Sequence, residues 1–206
     1  IIFNSNQNKN ILTNKELAKR LGVAAASTSE MIGKLRETGH VALGREQGIV
    51  LTDKGRMEAR NLVRKHRLWE VFLVDHLNYS WTEVHADAEV LEHVTSDKLA
   101  DRLDTFLSNP KYCPHGEIIF GNVEDQDDKT ITLDSIPLGG QGIFKRVRDI
   151  GELLEYLENI EFDLEDEFLV EEISIENETI KILVGYKKIL VSFEAASDIY
   201  VLPKYE

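Results

Sequence analysis

The spacing of the apolar residues changes along this chain, and that change limits the folds it can adopt. From Asp53 to about Leu107 the apolar side chains recur at helical intervals with one clear break, around Asn78–Trp81. From about Ile131 onwards they fall into short runs typical of strands, with turns between them. The sequence therefore predicts a mainly α-helical protein with a β domain in its C-terminal part.

The first sixty residues have the outline of a winged helix-turn-helix. Thr13 is a capping residue in front of a helical segment that Gly22 stops. A second helix follows and ends at Gly39. Two short apolar runs separated by a polar turn then predict a β-hairpin, Val41–Leu43 and Ile49–Leu51.

Charge is distributed unevenly along the chain. The formal net charge of −13 by itself argues against nucleic acid and against anionic membranes as partners. Residues 1–60, however, hold ten basic and six acidic side chains and carry +4, whereas residues 61–206 carry −17. A basic segment precedes a strongly acidic one, so the overall charge does not exclude DNA binding by the first segment.

The sequence indicates neither a membrane nor an oxidising compartment. No apolar run approaches the roughly 18 residues that a membrane span requires, and no signal-peptide pattern opens the chain. Cys113 is the only cysteine and cannot form an internal disulfide, which suits the cytoplasm. Because the chain begins at Ile1 rather than at methionine, we expect further residues to precede it.

If the second helix enters a major groove, its N-terminal side chains face the base edges. The candidates are small, hydrogen-bonding or basic residues: Ala26, Ser27, Ser29, Glu30, Lys34 and Arg36. Salt-dependent phosphate contacts would come from Lys9, Lys15, Lys19, Arg20 and Arg45. The same pattern also fits a helical hairpin packed on a β-ribbon for protein contacts, and this segment alone leaves both open.

Residues of metal-ligating types recur three times within fifty positions. The groupings are His85, Glu89, Glu92 and His93 at helical spacing, His66 and Glu70 one turn apart, and Cys113 and His115 on either side of a proline. Each has an ordinary alternative, since acidic helix faces are usually solvated and a lone cysteine is often a small buried apolar residue. Together they hold four of the six histidines and the only cysteine, which favours a metal-binding role.

The donor types indicate which ions would bind. Glu89, Glu92 and His93 offer mostly hard donors, which suit Mn²⁺ or Fe²⁺ better than Zn²⁺. Cys113 and His115 offer softer donors, so Zn²⁺ or Cd²⁺ can take the place of the physiological ion there in vitro.

Four motifs together resemble the diphtheria toxin repressor family, and most closely its manganese-dependent branch, the manganese transport regulators of Gram-positive bacteria. They are Arg64-Lys65-His66-Arg67-Leu68, Glu89-Val90-Leu91-Glu92-His93, Thr95-Ser96-Asp97 and Cys113-Pro114-His115-Gly116. The resemblance covers essentially the whole chain. It implies a winged helix-turn-helix domain over 1–61 whose first helix is truncated, a helical dimerisation and metal-binding domain over 62–126, and a small SH3-like β barrel over 131–206.

The resemblance also implies a function and two metal sites. Members are homodimeric, metal-activated repressors, not enzymes, that bind an inverted-repeat operator and control metal-uptake genes. One site would comprise Glu89, Glu92 and His93 with an acidic ligand upstream of Ile1; the other would comprise Glu70, Cys113, His115 and Asp149. His66 and His85 fall at ligand positions of iron-responsive relatives and are secondary candidates.

Two features limit what the resemblance transfers. The recognition helix begins Ala24-Ala25-Ala26-Ser27-Thr28, where relatives often have prolines and a valine, so the operator sequence cannot be carried over. Two other functions remain open: a winged-helix regulator that senses another ligand, and a metallohydrolase. The chain shows no nucleophile or oxyanion motif that would favour the hydrolase.

Overall fold

The computed structural model describes residues 2–3, 11–44, 48–123, 129–160 and 162–204. Lys9 and Arg45, both predicted to contact phosphates, lie outside the described residues. The chain forms two compact units, Ile1–Val63 and Arg64–Glu206.

The first unit contains the predicted helix-turn-helix and hairpin. Its elements are α1 (Asn14–Leu21), α2 (Ala25–Glu37), β1 (Val41–Gly44), β2 (Gly48–Leu51) and the start of α3 (Asp53–Leu77). The side chain of Thr13 accepts a hydrogen bond from the Glu16 amide at 3.1 Å, and Gly22 ends α1 with a left-handed φ of 64°. The strands pair antiparallel with Val41 opposite Leu51. The caps that the sequence predicts therefore define the first helix.

Apolar side chains from α1, α2, the hairpin and the segment before α1 form the core of the first unit. They are Leu12, Leu17, Ile32, Val41, Ile49 and Leu51. Thr28 is fully buried at an inward position of α2, and its hydroxyl donates to the Ala24 carbonyl at 3.3 Å. Because that bond satisfies the hydroxyl, α2 tolerates a polar residue there.

The helical part of the second unit is more divided than the sequence predicts. The rest of α3 is followed by α4 (Trp81–Val94) and α5 (Asp97–Phe106). The expectation of one break between Asp53 and Leu107 was wrong, because a second break lies at Thr95–Ser96. Ser96 caps α5 by accepting from the Leu99 amide, and the Thr95 hydroxyl bonds the Leu91 carbonyl and the Trp69 indole. These polar bonds end one helix and begin the next.

The C-terminal part of the second unit is a six-stranded antiparallel sheet. Its strands are β3 (Ile131–Thr132), β4 (Gln141–Val147), β5 (Glu167–Ser174), β6 (Thr179–Val184), β7 (Lys187–Ser192) and β8 (Ile199–Lys204), and they lie in the order β3-β8-β4-β5-β6-β7. Helix α6 (Gly151–Asn159) follows β4, and α7 (Phe193–Ala196) precedes β8. Short strands separated by turns therefore follow Ile131, as the sequence predicts, whereas β3 and α7 are too short to produce a periodic signal.

An aromatic cluster fills the centre of this β domain. Phe144 is fully buried, with its ring centroid 4.5 Å from that of Phe162 and 4.6 Å from that of Phe168. Such contacts add to the free energy gained from burial.

The helices and the C-terminal sheet confirm the predicted fold class, helical with a C-terminal β domain. Among the residues that the structure describes, no helix has the length and apolar character needed to cross a membrane.

Candidate metal centre

Two overlapping clusters of possible metal ligands lie in the second unit. In each, one donor atom per residue lies within 4.8 Å of the others. The first cluster contains Glu70, Cys113 and His115; the second contains His66, Glu70, His85 and Asp149. The structure therefore brings together six of the nine predicted metal ligands, and Glu70 belongs to both clusters.

Helix α3 and a short loop hold the first cluster in place. Glu70 lies on α3, and Cys113 and His115 lie in the loop after α5. The Gly116 amide donates to the Cys113 carbonyl at 2.9 Å, which folds the loop into a tight turn. The Val147 amide donates to the His115 carbonyl at 2.9 Å, so this loop is joined to the end of β4. Asp149 comes two residues later and thus reaches the same region.

The loop can approach β4 only because residue 116 is glycine. Gly116 has a φ of +80°, and a Cβ there would overlap the Lys145 carbonyl oxygen and lie 2.8 Å from the Arg146 Cα. We expect Gly116→Ala to lower the free energy of unfolding by about 3 kcal/mol and to weaken metal binding at Cys113 and His115. Urea unfolding and Cd²⁺ titration measure the two effects.

The matched control for this substitution is Gly139→Ala. Gly139 has nearly the same φ, +79°, but no atom lies within 4 Å of its added Cβ. It should therefore lose only about 1 kcal/mol, the cost of the left-handed conformation, and bind Cd²⁺ normally. Equal effects of the two substitutions would show that the approach to β4 does not shape the cluster.

The first cluster has the composition and burial of a metal site. Glu70 and His115 are each 1% exposed and Cys113 is buried. Both ring nitrogens of His115 are buried without a hydrogen-bond partner, although Nδ1 lies 3.2 Å from Glu70 Oε1 in poor alignment. Buried polar atoms are rarely left unsatisfied. A carboxylate, a thiol and an unsatisfied imidazole converging in this way fit a divalent cation.

Burial and the neighbouring carboxylates together set the pKa values in this cluster. It raises the pKa of the Cys113 thiol well above its ordinary value, and the nearby Glu70 carboxylate raises it further. Burial opposes protonation of His115, but Glu70 and Asp149 outweigh it and raise the pKa of that imidazole. Because a metal requires the thiolate and the neutral imidazole, binding here would release protons.

Histidine and carboxylate side chains alternate in the second cluster. His66 Nε2 lies 3.2 Å from Glu70 Oε1, His66 Nδ1 lies 2.7 Å from Glu92 Oε2, and His85 Nδ1 lies 2.5 Å from Asp149 Oδ2. Burial disfavours the charged imidazole of His66, but its three carboxylate neighbours prevail and raise its pKa to about 11. His66 therefore carries a positive charge that offsets Glu70, Glu92 and Asp149.

The remaining predicted ligands are not gathered in either cluster. Glu89 and His93 are exposed on α4, and the neighbouring Glu92 directs one oxygen to His66. His93 Nε2 lies 3.5 Å from the other Glu92 oxygen. Among the described residues these three do not share a common set of donor atoms within 4.8 Å. The site predicted from Glu89, Glu92 and His93 therefore stays a prediction.

The residues predicted to face DNA all lie exposed on α2. They are Ala26, Ser27, Ser29, Glu30, Lys34 and Arg36. The Ser29 hydroxyl accepts from Asn14 Nδ2 at 2.7 Å and donates to the Ala25 carbonyl, and Lys34 pairs with Glu30 at 2.7 Å. Sequence reasoning missed Asn14, which ties α1 to α2. In the sequence Asn14 is only the residue after the cap Thr13, and nothing in that position predicts a bond to the next helix.

Trp81 was also missed as part of the site. Its indole meets the His115 ring edge-on, with centroids 5.6 Å apart and an interplanar angle of 81°. In the sequence Trp81 is only the last residue of the predicted break between helices. No pattern in the chain relates it to a loop more than thirty residues away.

Comparison with known proteins gives matches to two family models and to several solved structures. Residues 1–49 match the DNA-binding domain of the iron dependent repressors, and residues 52–121 match their metal binding and dimerisation domain. The iron-dependent repressor IdeR of Mycobacterium tuberculosis is 34% identical over 131 residues, which is 60% of this chain and 57% of that protein. The chain thus matches little more than half the length of this curated relative.

Two solved structures are similar over nearly the whole chain. The manganese regulator SloR has 37% sequence identity and a TM-score of 0.84, over 98% of this chain and 95% of that one. The structure of ScaR with bound Cd²⁺ has 36% identity and a TM-score of 0.85, over 97% of this chain and 94% of that one. The similarity therefore includes the C-terminal sheet, which the two family models leave unmatched.

Proposed function

Because the chain belongs to the iron-dependent, or diphtheria toxin, repressor family, we propose that it is a transcriptional repressor activated by manganese and not an enzyme. The observation that carries this proposal is the buried Glu70, Cys113 and His115 cluster, in which neither ring nitrogen of His115 has a hydrogen-bond partner. A sensor needs a site that binds its ion tightly and selectively. The same chain contains a DNA-binding domain, and the bound ion would control its affinity for DNA.

Glu70, Cys113, His115 and Asp149 are the proposed ligands of one ion. His66 and His85 are secondary candidates, since each already pairs with one of these carboxylates. The ion would supply positive charge to a group of carboxylates and a thiolate that otherwise repel one another. The chain's part is to hold these donors at fixed positions: Glu70 on α3, the loop at 113–115, and Asp149 beyond β4.

Manganese is the proposed physiological ion because carboxylates outnumber the single thiol among the candidate ligands. Fe²⁺ is the second candidate, and Zn²⁺ or Cd²⁺ would substitute in vitro at the site that contains Cys113. The name of SloR, a manganese regulator, supports this choice. Glu89, Glu92 and His93 remain the proposed ligands of a second ion.

We propose an inverted-repeat operator and a homodimer as the partners. Exposed residues of α2 are available to reach a major groove, and basic residues on α1 and α2 are available for phosphates. In a symmetric dimer the two recognition helices would meet grooves about 34 Å apart, one turn of the duplex. The metal-bound form would be the form that fits this spacing, so the ion shifts a population toward DNA binding. With DNA as partner, the proposed location is the cytoplasm.

A DNA-binding experiment with controlled metal tests this function. Duplexes are selected from a random pool with the chain and Mn²⁺, and the affinity of the selected duplex is then measured with Mn²⁺ and with chelator. We expect tighter binding with Mn²⁺ by about 100-fold, the upper part of the range of allosteric coupling. Equal affinity in both conditions would rule out metal-gated repression.

Two lysine variants show whether α2 lies on the DNA. Lys34→Ala removes a charge from α2 and should reduce the slope of log affinity against log salt by about one. Lys188→Ala removes an exposed charge from β7, where the lysine pairs with Glu171 much as Lys34 pairs with Glu30, and should leave the slope unchanged. An unchanged slope for Lys34→Ala would remove this part of α2 from the interface.

A further inference from the structure

An exposed glutamate of the β domain binds the start of the helix that carries several candidate ligands. Glu158, near the end of α6, accepts from the Trp81 amide at 2.5 Å and from the Thr82 amide at 3.3 Å through Oε1. Its other oxygen accepts from the Thr82 hydroxyl at 3.0 Å. A single side chain thus receives three hydrogen bonds from residues 76 and 77 positions away in the sequence.

These bonds are not part of the ordinary cap of α4. Ser80 already forms a capping box with Glu83: the Ser80 hydroxyl accepts from the Glu83 amide, and the Glu83 carboxylate accepts from the Ser80 amide. The box leaves the amides of the first two helical residues without a local partner. Glu158 takes both, and its negative charge lies at the positive end of the helix dipole. The contact therefore joins two elements and is not needed to start the helix.

The residue held in this way contacts both the β domain and the first cluster. Trp81 packs against the core of the β domain, and its indole and the His115 ring meet in a T-shaped arrangement. One turn after Trp81, α4 places His85 Nδ1 2.5 Å from Asp149, a residue of the β domain. Any shift of the start of α4 relative to α6 would disturb both contacts.

We propose that Glu158 is a positioning residue of the metal centre. By holding Trp81 and Thr82 it fixes the β domain, and with it Asp149, against the helices and loop that carry Glu70, Cys113 and His115. The part of this proposal that concerns metal affinity rests on the proposed function. The part that concerns the contact itself rests only on the hydrogen bonds and packing of α4 and α6.

Glu158→Ala and Glu155→Ala are the matched pair of variants that test the proposal. Both remove one exposed glutamate from α6, three positions apart, and only Glu158 contacts α4 among the described bonds. We measure hydrogen exchange at the Trp81 and Thr82 amides by NMR in metal-free protein. We also measure Cd²⁺ affinity from the absorption band that a cadmium–thiolate bond to Cys113 produces.

In Glu158→Ala we expect both amides to exchange at least about tenfold faster, since their opening no longer breaks a bond to a carboxylate. Cd²⁺ should bind about tenfold more weakly, which is the effect expected when a residue that supports the ligands is lost. The thiolate band should still reach its full intensity at saturation, because Glu158 is not itself a ligand. Glu155→Ala should match the wild-type chain in both measurements. Glu158→Gln keeps an acceptor oxygen and should recover part of each loss.

The two readouts separate the possible failures. Unchanged exchange and unchanged Cd²⁺ affinity in Glu158→Ala would overturn the positioning role. Faster exchange with unchanged affinity would reduce Glu158 to a structural contact and overturn its role toward the metal. A wild-type chain without any thiolate band would overturn the proposed Cys113 site itself, and exchange at the two amides would still decide the contact.

Discussion

Glu70→Ala should abolish tight metal binding at the Cys113 and His115 cluster. We expect it to weaken Cd²⁺ binding there by well over 100-fold, since loss of a residue that only supports the ligands already weakens binding by up to roughly 100-fold. Glu70 is the one residue common to both clusters, and its Oε1 lies 3.2 Å from both His66 Nε2 and His115 Nδ1. The substitution thus removes a proposed ligand and a carboxylate neighbour of two imidazoles. Cd²⁺ titration followed by thiolate absorption measures the loss, and the Mn²⁺ dependence of DNA binding should disappear with it.

The same substitution should also destabilise the metal-free fold, so the two effects must be measured separately. Glu70 is 1% exposed, and its loss leaves His66 buried with less compensation, at a cost of about 3–5 kcal/mol in the free energy of unfolding. Glu70→Gln keeps the volume and one acceptor oxygen and is the control for packing. If Glu70→Gln binds Cd²⁺ as tightly as the wild-type chain, the carboxylate is not a ligand.

The stabilising effect of Glu70 should depend on pH in a defined direction. Burial raises the pKa of this carboxyl, but His115 and His66 outweigh burial and hold it at about 2, below its ordinary 4.5. A lowered pKa stabilises the fold above about pH 4.5 and loses that contribution as the pH falls toward 2. The difference in unfolding free energy between wild type and Glu70→Gln, measured in chelator, should therefore shrink as the pH falls through this range.

The candidate site was predictable to the extent that it follows local spacing. His66 and Glu70 lie one helical turn apart, and a single proline separates Cys113 from His115, so each pair was recognisable in the sequence. Glu70 also lies beside Cys113 and His115, and this depends on packing between α3 and a loop more than forty residues later in the chain. Asp149 entered only through the family resemblance, because an isolated aspartate after a strand has no distinguishing pattern.

Helical spacing also does not predict which residues contact a given face of a helix. Glu89, Glu92 and His93 share a face by spacing, yet in the structure Glu92 turns to His66 on α3. The break at Thr95–Ser96 was missed for a similar reason. Apolar periodicity continues across it, and the bonds that end α4 come partly from Trp69, a residue of another helix. Periodicity reports which side of a helix is buried, whereas tertiary partners decide where it stops and which ligands converge.

Phe106→Arg should convert the proposed dimer to a monomer and thereby abolish tight operator binding. Phe106 is 63% exposed on α5, beside the rings of Phe72 and His76, and Leu99 lies exposed two turns earlier on the same helix. Large apolar side chains left exposed on a helix are typical of a surface that pairs with another copy. This helix lies within the segment that matches the family's metal binding and dimerisation domain.

The expected effect is large because a symmetric interface contains each substitution twice. Burying an unpaired guanidinium costs several kcal/mol, so two copies should raise the dimer dissociation constant by at least about 1,000-fold. Arginine is chosen because a positive charge near the end of a helix favours the helix itself, which separates loss of pairing from loss of folding. Ile175→Arg places the same charge on an exposed apolar residue of the β domain and should leave the dimer intact. Sedimentation of both variants measures whether each one forms a dimer. If Phe106→Arg remains a dimer at the concentrations where Ile175→Arg does, the pairing surface lies elsewhere and the exposed side of α5 has another partner.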